Sequence, residues 1–391
     1  MEQPAAWRSL WRDLGPGVFL NFAGHAAMPR VALEAACRAA EAKAVPVSGD
    51  ADDFFASADR VRASIASLIN GNASDIALTT GASAGASMVA LGRSWTAGDE
   101  ILVCANDFPN HVATWSPLEA REGVRVRPIG RVGAFLTAEE VIEALSPDTR
   151  MVALSHVGFG DGALIDAPAL GRACRQAGVS LFLDASQSMG ATLVDVEAIG
   201  ADYIVGIGYK YLLGPWGVGF IWMSPKAQMA LRPGPWNWIS QDVQRFADLD
   251  YVSPRPSIHA KRWDSAEMVG PYNLNLAAFD AALGVVCDVT PVRVQAHGRD
   301  LIDRLFAQLP AACRPASPLD PKGRGAFGCF QASDLPSTEK LYRHLRTQGF
   351  VVSLRGPAIR VAPHLINDSD DIDQLAAAVG QWAVLEGRSM S

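Results

Sequence analysis

Lys210 stands between the apolar run Tyr203-Ile204-Val205 and the loop Gly206-Ile207-Gly208-Tyr209-Lys210-Tyr211-Leu212-Leu213-Gly214-Pro215-Trp216-Gly217. An ammonium in such company is costly unless it is neutralised, paired or used covalently. Desolvation lowers a lysine's pKa, and the neutral amine can attack a carbonyl to form a Schiff base. Taken alone, the residue also reads as a solvated lysine at a strand end. Asp184 ends a second apolar run, Leu181-Phe182-Leu183, and is followed by Ala185-Ser186-Gln187-Ser188. A carboxylate there needs a cationic or donor partner. A protonated pyridine nitrogen would serve, and so would a helix start or a magnesium ion.

Other polar groups sit where further strands end. Thr79-Thr80-Gly81-Ala82-Ser83-Ala84-Gly85 joins a strand to a helix with small residues. Amides at that helix start, with Ser83 as expected N-cap, would cradle a phosphate. The segment is not GxGxxG, which counts against a dinucleotide site. In Asn106-Asp107-Phe108-Pro109-Asn110-His111, Phe108 suits stacking on a flat ring or plugging the core, and His111 reads as a structural histidine. His156 ends another strand and could lie beside a cofactor. Arg360 lies between Ile359 and Val361, so its guanidinium wants a partner, either a substrate carboxylate or a structural acid. Trp236, Trp238, Tyr251 and Trp263 could line an aromatic substrate pocket or simply pack.

These residues need a scaffold that gathers strand ends. From about residue 56 to 225, short apolar runs alternate with helical patterns, the mark of a mainly parallel sheet covered on both faces. Ligands on such sheets bind beyond the carboxyl ends of the strands. Strands are expected at 76–79, 100–104, 151–154, 179–183, 203–205 and 219–223, with helices at 59–69, 83–95, 138–144 and 167–177. Pro233 to Ser257 reads as a long loop, followed by helices at 274–286, 299–309, 337–349 and 372–385.

A chain of 391 residues is expected to form more than one domain. Its net charge of −7 argues against a nucleic-acid partner. Cys37, Cys104, Cys174, Cys287, Cys313 and Cys329 are scattered, which suits neither a disulfide framework nor a metal site and fits a reducing cytosol. The first residues lack the order of a signal peptide, and no stretch approaches a membrane span. A cytoplasmic soluble protein is expected.

In order along the chain, from Phe19-Leu20-Asn21-Phe22-Ala23-Gly24 to Arg360 and Asn367, these segments resemble the class V aminotransferase family of pyridoxal phosphate (PLP) enzymes. The resemblance implies fold type I: an α/β architecture with a mainly parallel seven-stranded sheet and a smaller α+β C-terminal domain. It implies residues 1–18 packing on the small domain, 19–260 as the PLP-binding domain and 261–391 as the small domain. Lys210 is then the Schiff-base lysine, Asp184 meets the pyridine nitrogen and Gln187 the ring hydroxyl. Ala82 and Ser83 hold the phosphate with Tyr209, Phe108 covers the ring with His156 near it, and Arg360 with Asn21 faces the substrate. The implied chemistry starts from an external aldimine and a Cα carbanion, leading to transamination or epimerisation. A kynureninase-like hydrolase, a C–S or β-eliminating lyase and a scaffold without turnover are alternatives. A homodimer with a shared site is implied, with an amino-acid-like substrate and no metal. The Phe108-Pro109 pair, Tyr209 and Arg355-Gly356-Pro357-Ala358-Ile359-Arg360 have a kynureninase flavour, whereas 213–220 and 21–29 look like the isopenicillin-N-epimerase branch. No cysteine lies between Gly349 and Arg360, unlike the desulfurases. Ile207, Phe159 and Ser265-Ala266-Glu267 depart from the family pattern where Ser, Asn or Ser, and Gly-Thr are frequent.

Overall fold

The computed structural model describes residues 7–45, 54–130, 135–232 and 236–389. In chain order its first strands are β1 (Val18–Phe19), β2 (Ile76–Thr79), β3 (Glu100–Cys104), β4 (Arg125–Ile129), β5 (Thr149–Ser155), β6 (Ser180–Asp184), β7 (Tyr203–Ile207) and β8 (Gly219–Met223). Those from β2 onward form a seven-stranded sheet in the order β2-β8-β7-β6-β5-β3-β4. Only β8 runs against its neighbours, pairing antiparallel with both β2 and β7. The fold is therefore α/β, as the alternating pattern required. β4 lacks an apolar run because it is an edge strand carrying Arg125, Arg127 and Pro128, residues that edges tolerate.

Successive side chains of a strand point to opposite faces, and both faces here are buried. Leu102, Val152, Leu154, Leu181, Leu183 and Ile204 join one core, while Ile101, Val103, Met151, Ala153, Phe182 and Val205 join the other. Helix Leu274–Val289 lies in the first core and packs on helices Arg30–Ala44 and Ala56–Ile69. It and Pro291–Ala307 meet at a 71° bend, and among the described residues no single helix is long and apolar enough to cross a membrane.

The chain then forms β9 (Cys313–Pro315), β10 (Gly328–Ala332), β11 (Phe350–Val351), β12 (Ser353–Arg355) and β13 (Ala358–Val361). A four-stranded sheet in the order β12-β13-β10-β9 packs with helices Leu335–Thr347 and Ser369–Ser389 around a third core that includes Ile302, Phe330, Leu341, Ile359 and Ile372. β1 pairs in parallel with β11, and Arg8 reaches Asp368 at 2.8 Å, so the described part of the N-terminal segment lies on the C-terminal elements. We propose 19–260 and 261–391 as the two working units, with helix Leu274–Val289 as the bridge between them.

Asp264 ties the segment after the long loop to the sheet. Its Oδ1 accepts from the β2 amide of Leu78 at 2.8 Å, and Arg62 pairs with its other oxygen. Burial pushes the Asp264 carboxyl up to about 6 against the opposing pull of Arg62. Removing the cation would leave a buried, unpaired carboxylate. Arg62→Leu is expected to lower the unfolding free energy at pH 8 by about 3–5 kcal/mol. Asp59→Ala, which removes the exposed partner of Arg62 at 2.7 Å, should cost about 1 kcal/mol or less in the same urea titration.

Candidate functional site

The parallel register sets the site. Ser155 at the end of β5 is paired with Asp184 at the end of β6, and Asp184 with Val205 in β7. The loops that follow β3, β5, β6 and β7 therefore leave one edge of the sheet together. Gly190 has φ +86, and an added Cβ would collide with the Tyr211 carbonyl. Its absence lets the loop after Asp184 close on the backbone beside Lys210.

Lys210 is buried, and burial brings its ammonium down to about 8. Asp184 and, less strongly, Asp107 oppose that shift, while Arg360 and Arg355 reinforce it. The amine lies 5.7 Å from the centroid of the Phe108 ring. Phe108 is partly exposed and meets Phe159 edge to face at 5.0 Å. Asp184 Oδ1 accepts from the Ser186 amide at 2.8 Å, and its Oδ2 is 3.8 Å from His111 Nε2. His111 is itself buried between Asp184 and Asp107. Asp107 accepts from the Ser155 amide at 2.7 Å and its hydroxyl at 2.5 Å. This Asp107–Ser155–His111 support behind Asp184 was hidden in the sequence, where only the strand-end position of each residue hinted at it.

Gln187 donates to the Ala23 carbonyl at 3.1 Å and keeps Oε1 buried without a partner. His156 is buried, its imidazole pushed down to about 4 by desolvation, with Nδ1 unpartnered. It is held neutral and so cannot supply positive charge. Tyr209 stacks on Trp216 at 3.5 Å, and its phenol is raised by burial and then by Asp184. Asn21 is buried, bridged to Ala362, and accepts from the Ser353 hydroxyl. Arg360 is only 1% exposed; Nη1 donates to the Phe159 carbonyl at 3.0 Å, whereas Nε and Nη2 have no partner. Burial brings its guanidinium down to about 10.

The phosphate end differs from expectation. Helix Ala82–Gly92 is capped by Gly81, at a φ of +156 that favours glycine, and not by Ser83, which lies in the first turn and is exposed. Gly81 can approach the sheet closely: a Cβ on Gly219 would sit 2.7 Å from its Cα. Ile207 packs beside it, 3.5 Å from where a Gly81 Cβ would be, so an apolar side chain fills the place where the family often has serine. First-turn amides have no partner inside a helix, so those of Ala82 and Ser83 remain available to an anion. The aromatic residues separate from the site. Trp236, Trp238 and Tyr251 line a cavity of about 480 Å³ and Trp263 a neighbouring one of about 720 Å³, neither including Lys210, Asp184 or Arg360.

The donor set fits PLP. A buried amine with a lowered pKa, an acceptor left open on Gln187, free first-turn amides and a buried guanidinium with two open donors match an aldehyde, a ring hydroxyl, a phosphate and a substrate carboxylate. Among the described residues, no group of three or more His, Cys, Asp or Glu is arranged to hold a metal.

The sequence profile of the class V aminotransferase family matches residues 18–249. The chain belongs to this family. It is a PLP-dependent enzyme, and PLP is its cofactor. The chain is 26% identical to isopenicillin N epimerase of Streptomyces clavuligerus, over 82% of this chain and 83% of that one. It is 32% identical to a probable cysteine desulfurase of Methanothermobacter thermautotrophicus, over 44% of this chain and 43% of that one. Among solved structures, the cysteine desulfurase of Thermococcus onnurineus superposes with a TM-score of 0.84 at 17% identity, covering 99% of both chains. The cystine C–S lyase C-DES superposes with a TM-score of 0.82 at 23% identity, covering 94% of this chain and 98% of that one.

The electrostatics of Lys210 are testable in cofactor-free protein by competitive labelling of its amine against pH. The midpoint is expected near 8. Asp184→Asn removes a negative neighbour that favours the ammonium, so the midpoint should fall. Arg360→Gln removes a positive neighbour that disfavours it, so the midpoint should rise. Shifts of the opposite sign would contradict this arrangement.

Proposed function

We propose that the enzyme moves a proton at the Cα of an amino acid, with epimerisation or transamination as the outcome. The observation that carries this reading is the Lys210 amine, buried and held near neutrality between two carboxylates and two guanidiniums. A base whose pKa lies near the working pH is suited to taking and returning a proton. Bound PLP supplies the aldehyde that captures the substrate amine and the ring that accepts electron density from Cα. In this reading, Asp184 keeps the ring nitrogen protonated, with the Asp107–Ser155–His111 set holding its carboxylate in place. Gln187 Oε1 and the Ala82 and Ser83 amides would hold the ring and phosphate, with Tyr209 near the phosphate and Phe108 and His156 near the ring. The open donors of Arg360 would hold the substrate carboxylate, with Asn21 bracing the neighbouring strand.

Two observations favour proton transfer at Cα over sulfur transfer. The epimerase relative is matched along most of its length, whereas the desulfurase relative is matched along less than half. Cys329, the cysteine paired across the strands with Arg360, is fully buried and its thiol is pushed up to about 12 by desolvation. A thiol held neutral and inaccessible is a poor nucleophile. The exposed Leu91, Met229 and Trp236 support the expectation of a homodimer, which we place in the cytoplasm.

Holoenzyme incubated with single amino acids in deuterated water should place deuterium at Cα, read by mass spectrometry. Chiral chromatography and keto-acid assay separate the outcomes, since an epimer without keto acid means epimerisation and stoichiometric keto acid means transamination. Lys210→Ala should lose the exchange by about 10³-fold or more, the upper part of what a positioned base contributes. Exchange at the wild-type rate in Lys210→Ala would remove the assigned base.

A further inference from the structure

Arg360 is not the only guanidinium without an acid. β12 and β13 form an antiparallel hairpin in which Ser353 is paired with Arg360 and Arg355 with Ala358. Directly paired residues share a face, and so do residues two apart along one strand. Arg355 and Arg360 therefore project from the same face as diagonal neighbours. Both converge on Phe159, with guanidinium carbons 5.5 and 5.3 Å from its ring centroid. Phe159 in turn touches Phe108, the ring beneath the Lys210 amine.

No carboxylate among the described residues pairs with either arginine. Arg355 spends one donor on the Leu354 carbonyl at 2.9 Å and leaves Nε buried without a partner. Arg360 uses one donor on Phe159 and leaves two open. Other buried guanidiniums in the chain are treated differently, since Arg62 is paired with Asp264 and Arg324 with Asp303. Cys329, also on that face beside Arg360, is held as the neutral thiol and cannot supply the missing charge. Two cations so placed repel each other, and one α-carboxylate balances only one of them. The deeply buried Arg360 suits the α-carboxylate near Lys210, and the half-buried Arg355 lies further toward solvent.

We propose that Arg355 is the specificity-determining residue and that the substrate is an amino acid with a second anionic group on its side chain, such as a dicarboxylic amino acid. The inference rests on the proposed carboxylate role of Arg360. Aspartate, glutamate and 2-aminoadipate should be turned over with higher kcat/KM than asparagine, glutamine and norvaline. The advantage should be about 10- to 150-fold, the range of a hydrogen bond to a charged group. Arg355→Gln should abolish that advantage, lowering kcat/KM for the charged amino acids by about 10- to 150-fold more than for the neutral ones. Arg355→Lys should recover part of it, and Arg360→Gln should weaken both sets. Calorimetry on the holoenzyme gives a second readout free of turnover: glutarate should bind more tightly than butyrate, and Arg355→Gln should equalise them. Equal turnover of charged and neutral amino acids, equal losses for both in Arg355→Gln, or no preference for glutarate would each overturn the proposal. If glutarate is preferred but no amino acid exchanges its Cα proton, the reading of the reaction falls and the paired-anion site stands.

Discussion

The burial of one primary amine organises this molecule. An ammonium at Lys210 loses its hydration, and the surroundings return only part of that loss through Asp184 and Asp107. Arg360 and Arg355 push the other way, so the amine is kept close to losing its proton. Such a balance needs rigid placement on both sides. The carboxylates are fixed by strand ends held in parallel register, and the guanidiniums by an antiparallel hairpin from the second sheet. Lys210 thus sits where the two halves of the chain must agree. The unpartnered donors and acceptors around it are costs the fold carries unless a ligand satisfies them.

The chain shares its fold with a cysteine desulfurase and a cystine C–S lyase of known structure. Their similarity to it in shape is high and in sequence low. Here the buried thiols are engaged in packing. Cys104, Cys174, Cys313 and Cys329 are each pushed upward by burial, and all six cysteines are unbridged. Cys329 donates to the Gly160 carbonyl at 3.3 Å and fills space beside Arg360, which makes it part of the arginine's apolar setting.

Much of the scaffold could be read from the chain because buried parallel strands leave continuous apolar runs. β5, β6, β7 and β8 each announce themselves this way, and Asp184 and Lys210 were locatable as the polar residues that follow them. β4 escaped because an edge strand has no need to be apolar. The expected N-cap at Ser83 failed for a related reason. Side-chain capping is the usual rule, yet here the cap position has φ +156, a conformation that favours glycine, and Gly81 takes it. The aromatic residues of the long loop were legible as apolar mass, but nothing local says which cavity they line.

Sequence by itself determined the α/β class, the order of the strands' terminal residues and the chemical types gathered there, because those follow from periodicity and from the cost of placing a charge after an apolar run. Tertiary structure alone decided which charges face one another. The support of Asp184 by His111, Asp107 and Ser155 depends on β3, β5 and β6 being neighbours in the sheet. The sharing of one face by Arg355 and Arg360 depends on hairpin register, and their shared proximity to Phe159 depends on how the two sheets pack. Electrostatic coupling falls with distance and rises with burial, and neither quantity is written in the order of residues along the chain.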